Sequence, residues 1–165
     1  MGLSEDLERI ALQEKELALP RLDAEMAWQL GLQLRTIAAE RGLAVVIDVR
    51  RFGQLLFYAA MGGTTPDNVE WVRRKSNVVA RFHRSSYAVG LRDKQKGETI
   101  YESQGLALAD YATHGGSFPL TVAGAGVIGS VTVSGLPMRE DHELVIEALC
   151  AVLKRDYAQF CLAAE

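Results

Sequence analysis

Two short stretches carry the residue types best suited to holding a small ligand. The first is HGGS, His114 to Ser117, in which an imidazole precedes two glycines, Gly115 and Gly116. Glycines let backbone N–H groups approach a ligand closely, and an imidazole titrates near neutral pH. The second is Asp141-His142, at the expected start of a helix, where the helix dipole favours an anion or a carboxylate. Together they predict a site for a small anionic ligand.

Each stretch also has an interpretation without a ligand. The glycines after His114 can simply form a tight connection that leaves the imidazole in solvent. Asp141 can be a stabilising charge at a helix end, and His142, which shares a helical face with apolar residues, can be a hydrogen-bonded inner histidine. The residues alone leave both interpretations open.

The stretch GAGVIG, Gly124 to Gly129, matches the G-x-G-x-x-G pattern of dinucleotide-binding turns. That pattern needs a strand before it and a helix after it. PLTVA precedes it as a plausible strand, but the β-branched, period-two stretch VIGSVTVSG follows it, which is typical of a strand. The remaining chain is also too short for a doubly wound nucleotide domain. We therefore expect a hairpin turn at Gly124–Gly126 and neither NAD nor FAD.

No residue pattern identifies a catalytic centre. The three histidines lie outside H-E-x-x-H, and no serine lies in G-x-S-x-G, so neither a zinc motif nor a hydrolase motif is present. Cys150 and Cys161 have no C-x-x-C spacing and are interpreted as a structural pair of buried thiols on one C-terminal helix. We predict no metal site, and the sequence leaves open whether the protein is an enzyme.

The spacing of apolar residues predicts the elements that position these stretches. Helical spacing predicts helices over 4–18, beginning after Ser4, over 23–41, from Thr65 toward Ser85, near 86–95 and from 139 to about 161. Period-two spacing predicts the strands AVVIDVRR, QLLFYAAM, PLTVA and VIGSVTVSG. Both faces of QLLFYAAM are apolar, so we expect helices on both sides of the sheet.

Strand pairing predicts that the two ligand-binding stretches are neighbours. Antiparallel pairing of PLTVA with VIGSVTVSG brings the far ends of these strands together, because each spans a similar number of residues. HGGS and Asp141-His142 should then lie side by side at one end of the sheet. Arg74 or Lys75 would supply a counter-charge if the third helix packs nearby.

Composition excludes several functional classes. WVRRKSNVVARFHRSS is basic, but the whole chain of 165 residues has a net charge of −3. A solvated helix face is therefore expected in preference to nucleic-acid binding, with a subunit interface or an anion pocket left open. The length predicts one domain, 1–165. No apolar run is long enough to span a membrane and no secretory signal begins the chain, so we expect a cytoplasmic protein without a membrane partner.

Several stretches resemble a known family. DNVEWVRRKSN, HGGSFP and VSGLPMREDH resemble the GlcG/HbpS-like family of haem-degrading domain proteins, and within it a branch of small cytosolic proteins in bacteria and fungi. The resemblance covers nearly the whole chain. It implies an α/β (α+β) fold, a profilin-like three-layer α/β/α sandwich with a central, mainly antiparallel sheet of about five strands, assembled as a homo-oligomer. It also implies an association with haem, but no haem-ligating residue can be carried over.

Three functions are consistent with the sequence. The protein binds a small anionic or planar ligand, haem among the candidates; or it is an enzyme acting on such a ligand; or it is a non-catalytic homo-oligomeric scaffold that engages other proteins. A sizeable pocket with His114 or His142 favours the first two, and a sealed core with large apolar faces favours the third. Because a sheet of about five strands has limited area for four helices, the N-terminal helix should bury part of its apolar stripe against another subunit.

Overall fold

The computed structural model describes residues 2–164. Within them six α-helices are present: α1 (Leu3–Glu16), α2 (Ala24–Arg41), α3 (Pro66–Phe82), α4 (Ser86–Lys96), α5 (Ile100–Gln104) and α6 (Met138–Leu153). The four strands are β1 (Val46–Arg51), β2 (Gln54–Ala60), β3 (Ser117–Val122) and β4 (Gly126–Ser134). No helix in this part of the chain has the length and apolar character needed to cross a membrane.

The strands form one antiparallel sheet in the order β2-β1-β4-β3. Asp48 of β1 lies opposite Thr132 of β4, which in turn lies opposite Ser117 of β3. The predicted α/β/α fold is confirmed, with four strands in residues 2–164 in place of about five. The segment before β3, for which we predict no element, forms α5 and a loop. Helix α5 begins at a Thr99–Glu102 capping box, which favours a helix there.

The two faces of the sheet differ in chemistry. α2 and α6 cover one face over the main apolar core, to which the strands contribute Ile47, Val49, Phe57, Phe118, Leu120, Val131 and Val133. Because side chains alternate along a strand, the intervening residues point to the opposite face, under α3. There the buried side chains are the apolar Val46 and Pro119 and five polar ones, Asp48, Ser117, Ser130, Thr132 and Ser134. The α3 side of the sheet is therefore rich in buried polar groups.

Helices cover both faces of β1, β3 and β4, as predicted for the sheet, but only one face of β2. α3 packs on β1, β3 and β4, whereas Leu55 and Tyr58 of β2 remain 50% and 41% exposed. Strand β2 thus has an uncovered face, and it is also an edge of the sheet.

Helix ends follow local chemistry, and three that differ from the predicted ends are the start of α1 and the ends of α3 and α6. α1 begins after Gly2 and not after Ser4. α3 ends at Phe82, before Ser85, because Ser85 caps the next helix by accepting a hydrogen bond from the Ala88 N–H at 3.1 Å. The helix expected to run to Cys161 was wrong: α6 ends at Leu153, and Lys154 adopts a left-handed conformation. Cys161 therefore lies beyond α6 and is only partly buried, while Cys150 is fully buried.

The apolar stripe of α1 is buried within the same chain. Ile10 packs with Tyr87 and Leu91 of α4 and with Leu162 near the C-terminus, and Leu7 packs beside them. The prediction that a second subunit covers this stripe fails at its premise, because α1 packs beside α4 at the β3 edge and does not compete for the sheet faces. The α1 stripe is therefore not a surface on which we expect self-association.

Candidate functional site

The HGGS loop and the start of α6 lie side by side, as strand pairing predicts. Gly116 accepts a hydrogen bond from the Val133 N–H at 2.9 Å. A Cβ atom added to Gly115 would lie 2.1 Å from the Met138 carbonyl oxygen, and one added to Gly116 would lie 3.2 Å from Cβ of Asp141. Only glycine permits this approach, so the two residues bring the loop onto the helix start.

A buried ion pair joins α3 to the same place. Lys75 Nζ lies 2.9 Å from Asp141 Oδ2, with side-chain exposures of 4% and 1%. Lys75 also donates to the Val133 carbonyl at 3.2 Å, and Asp141 Oδ1 accepts from the Leu136 N–H at 2.9 Å. Burial raises the pKa of Asp141 and lowers the pKa of Lys75, while the attraction between the two charges opposes both shifts. Helix α3 does pack nearby, as the expectation of a counter-charge from Arg74 or Lys75 required, but the charge of Lys75 is paired with Asp141; a role of either residue toward a ligand stays a prediction.

His114 lies on the protein surface next to the Lys75–Asp141 ion pair. Its side chain is exposed, and its ring meets the edge of the Trp71 ring at a centroid distance of 4.9 Å. Partial desolvation lowers the pKa of His114, and the positive charges of Lys75 and Arg74 lower it further. The imidazole is therefore mainly neutral at pH 7, with a free lone pair on one ring nitrogen.

Two grooves meet at His114. The first, which we call the Trp71 groove, has a volume of about 260 Å³ and is lined by Asp67, Asn68, Trp71, Lys75, His114 and Asp141, among others. The second, the Tyr87 groove, has a volume of about 600 Å³ and is lined by Tyr87, Leu91, Lys94, Thr113, His114 and Arg139, among others. Met138 also lines both. The grooves combine apolar surface, aromatic rings and a few polar groups, which is the usual composition of a ligand site.

His142 lies away from both grooves, in the protein interior. Its side chain is fully buried, with its ring centroid 5.3 Å from that of Tyr87 and 5.9 Å from that of Phe118. Nε2 lies 2.8 Å from Gln13 Oε1, while Gln13 Nε2 donates to the Phe160 carbonyl at 2.7 Å. This second bond orients the amide, so His142 Nε2 carries the proton. The expectation that His142 shares a cavity with His114 is corrected: it is an inner histidine because its helical face points toward α1 and the core.

Four other predicted residues line neither groove: Gly115 and Gly116, which form the close approach to α6, and Ser117 and Arg74. Ser117 is buried under α3, where its Oγ lies 2.8 Å from Thr132 Oγ1. Arg74 donates to the Leu108 carbonyl at 2.8 Å, and its guanidinium lies over the Trp71 ring at 4.7 Å. Ser117 therefore holds the strands together, and Arg74 supports Trp71 while adding positive charge near His114.

Sequence reasoning missed Trp71, Asn68 and Met138 in the grooves. Trp71 lies four residues before Lys75, which places both on one face of α3. This spacing is a signal that the sequence contains. Met138 carries no such signal, because its position depends on where α6 begins.

Two more arginines of α3 and the following loop, Arg73 and Arg84, form ion pairs within the chain. Arg73 pairs with Glu70 and Asp110, and Arg84 pairs with Glu14. These partners compensate much of the local positive charge. Weak and strongly salt-dependent binding of duplex DNA remains our prediction.

Comparison with known proteins adds to this geometry. The family model described as haem degrading protein HbpS-like matches residues 22–150. UPF0303 protein BTH_I2506 from Burkholderia thailandensis is 63% identical over 163 residues, which cover 99% of each chain.

Two solved structures share the fold. The Ybr137w protein has a TM-score of 0.82 and 29% sequence identity, covering 90% of this chain and 88% of its own. A PduOC:Heme complex has a TM-score of 0.68 and 19% identity, covering 79% of this chain and 94% of its own. The matched family model and the similarity to the Burkholderia protein lead to one conclusion: the chain belongs to the HbpS-like family of haem-degrading proteins.

Proposed function

We propose that this protein binds a small anionic or planar ligand in the Trp71 and Tyr87 grooves, with His114 as the shared contact. The observation that carries the proposal is that the exposed His114 imidazole lines both grooves. Its lowered pKa supports this role, because a neutral imidazole offers a lone pair to a ligand. Backbone groups at the start of α6 and the charge of Lys94 favour a ligand with a negative group.

Haem is the candidate that the family description and the PduOC:Heme complex suggest. The residues present fit this group. His114 and Met138 are side-chain types that ligate haem iron, Trp71 and Tyr87 provide aromatic surface for a planar macrocycle, and Lys94 suits a propionate carboxylate. Bound haem would supply redox and O₂ chemistry. The protein itself would hold the ligand through His114, cover the faces of the macrocycle with apolar side chains and neutralise the carboxylates.

Titration with hemin, followed by its Soret absorbance, tests the proposal. We expect saturable binding by the wild type and at least tenfold weaker binding by His114→Ala, since one ligating contact is worth at least about one factor of ten. His83→Ala is the matched control, because His83 is also exposed but lines neither groove. Equal hemin affinity of wild type and His114→Ala contradicts the assignment of haem to these grooves.

A non-catalytic homo-oligomeric scaffold is the second proposed function. Exposed apolar side chains support it, since Trp28, Phe52 and Leu55 are 56%, 79% and 50% exposed. Surfaces of this kind mark protein–protein contacts when they are contiguous. The scaffold predicts self-association whether or not a ligand is bound.

We also propose a cytoplasmic location. Cys150 and Cys161 are both free thiols. Unpaired cysteines suit a reducing compartment. Fractionation of cells that express the native protein tests this location, and recovery outside the cytoplasm contradicts it.

A further inference from the structure

A third cavity lies on the α3 side of the sheet and shares no lining residue with the two grooves at His114. It has a volume of about 180 Å³. The C-terminal half of α3, the hairpin between β1 and β2 and the beginning of β4 enclose it, and Arg50 is its charged residue. We call it the Arg50 cleft.

A buried carboxylate fixes the orientation of Arg50. Arg50 Nε and Nη2 donate to the two carboxylate oxygens of Asp48 at 2.8 and 3.0 Å. Asp48 is 1% exposed, whereas the Arg50 side chain is 27% exposed. Two parallel hydrogen bonds hold the guanidinium plane rigidly. Because Asp48 already compensates the charge of Arg50, the cleft is stable without a ligand.

One edge of this guanidinium remains available. Among residues 2–164, Arg50 donates through Nε and Nη2 to Asp48, and its Nη1 makes no hydrogen bond. A guanidinium that donates to one carboxylate can also donate to a second carboxylate from its other edge, because its N–H groups form a planar fork. The free edge of Arg50 is thus a preorganised donor for a carboxylate.

Two further polar groups of the cleft have no partner in the described part of the chain. Ser130 is 6% exposed and its hydroxyl makes no hydrogen bond to residues 2–164; its oxygen is not among the enclosed unpaired atoms there, so it remains accessible from the cleft. His83, at the C-terminal end of α3, presents an exposed imidazole. Asn77 and Ser76, by contrast, are anchored to the Asp110 and Arg73 carbonyls. Ser130 and His83 therefore add donors beside Arg50.

The remaining wall of the cleft is apolar. It consists of Phe52, Ala80, Val127 and Ile128. The hairpin that carries Phe52 is fixed to β4, because the Phe52 N–H donates to the Ile128 carbonyl at 2.8 Å. Phe52 itself is 79% exposed, so its ring is available to cover a ligand. A carboxylate site beside an apolar wall that includes the Phe52 ring matches an aromatic acid.

We infer that the Arg50 cleft binds a small aromatic carboxylate, with the carboxylate on Arg50 and Ser130 and the ring against Ile128 and Phe52. This site is independent of the proposed function at His114. The aromatic ring loses its apolar hydration on binding, and the carboxylate exchanges water for charge-assisted hydrogen bonds.

Isothermal titration of the full-length protein with sodium benzoate tests the inference. We expect saturable binding with a Kd of about 1 mM or below, as a ligand of this size permits. Arg50→Lys keeps the charge beside Asp48 but removes the planar fork, and it should weaken benzoate binding at least tenfold. Arg81→Lys is the matched control, because Arg81 is an exposed arginine of α3 outside the cleft. The control should bind benzoate as the wild type does.

Two further variants keep the test decisive if Arg50→Lys does not fold. Ala80→Trp fills the cleft from an exposed helix position and should abolish binding. His114→Ala should leave benzoate binding unchanged. Loss of binding in His114→Ala with retention in Ala80→Trp would place benzoate in the grooves at His114 and overturn the inference. Absence of saturable binding, or equal affinity for uncharged benzamide, overturns it as well.

Discussion

Lys75 Nζ lies 2.9 Å from Asp141 Oδ2, and the two side chains belong to helices on opposite faces of the sheet. The ion pair lies at the end of the sheet, next to Gly116. A Cβ atom added to Gly116 would lie 2.9 Å from Lys75 Nζ, so the glycine leaves room for the lysine side chain. Asp141 also accepts from the backbone between β4 and α6. The carboxylate of Asp141 thus joins α3 to the start of α6, and the pair lies beside Gly116 of the HGGS loop.

Removal of one partner of this pair should be costly. Lys75→Met leaves the carboxylate of Asp141 buried, at 1% exposure, without its counter-charge. We expect the free energy of unfolding to fall by about 3–5 kcal/mol, the usual penalty for an uncompensated buried charge. Urea denaturation of the variant measures this loss.

The control is Lys96→Met, at an exposed position near the end of α4. It should change the free energy of unfolding by about 0.5 kcal/mol or less. The double variant Lys75→Met/Asp141→Asn removes the unpaired charge and should recover part of the stability lost in Lys75→Met. Equal stability of Lys75→Met and Lys96→Met would show that the ion pair does not stabilise the fold.

Periodic patterns predict most of this architecture, and long-range partners account for what they miss. The strands and the hairpin turn follow from period-two spacing, and their pairing predicts that His114 and Asp141 are neighbours. The hydrogen bond between His142 and Gln13 joins residues 129 positions apart. No local pattern encodes such a contact, because it depends on how α1 packs against α6. The end of α6 was missed because Lys154 takes a left-handed conformation without a glycine.

Gly116 should tolerate no side chain. Its φ is +132°, and an added Cβ atom would lie 2.2 Å from the Val133 carbonyl oxygen, which the paired strand holds in place. We expect Gly116→Ala to lower the free energy of unfolding by about 3 kcal/mol or more, because backbone strain and a clash act together. Chemical denaturation measures the change.

Gly124→Ala is the matched control for this glycine. Gly124 also has a positive φ, +80°, but no atom lies within 4 Å of an added Cβ. The cost there should be about 1–2 kcal/mol, from conformation alone. If the two alanine variants lose the same stability, the close approach of the HGGS loop to β4 is not under steric control.

Stability should fall in acid through His142. Burial lowers the pKa of His142 to about 3, whereas an unfolded histidine titrates near 6.5. Below pH 6.5 the unfolded chain takes up a proton that the folded protein excludes, so this stability is complete above pH 6.5 and is lost as the pH falls toward 3. Between about pH 6 and pH 4, protonation of His142 in the unfolded chain should lower the free energy of unfolding by up to about 1.4 kcal/mol per pH unit.

Comparison of the wild type with His142→Leu isolates this effect. Asp48 and Asp141 also titrate in the acid range, and their raised pKa values act in the opposite direction, but they are present in both proteins. Urea denaturation from pH 7 to pH 4 should give a steeper loss of stability for the wild type than for the variant. Parallel pH profiles would contradict the burial of a neutral His142.

Self-association should involve β2. This strand is an edge of the sheet, and its sequence QLLFYAA contains no charged residue. Natural edge strands usually carry charges or cover that prevent pairing with another chain, so we expect β2 to contact a second copy of this protein. Light scattering at micromolar concentration should give a mass above that of the 18.1 kDa chain. Leu55→Glu, at a position 50% exposed on β2, should shift the mass toward the monomer, whereas Leu12→Glu, at a position 39% exposed on α1, should not. A wild-type mass equal to that of one chain contradicts self-association. A mass of Leu55→Glu equal to that of the wild-type oligomer excludes β2 as the contact.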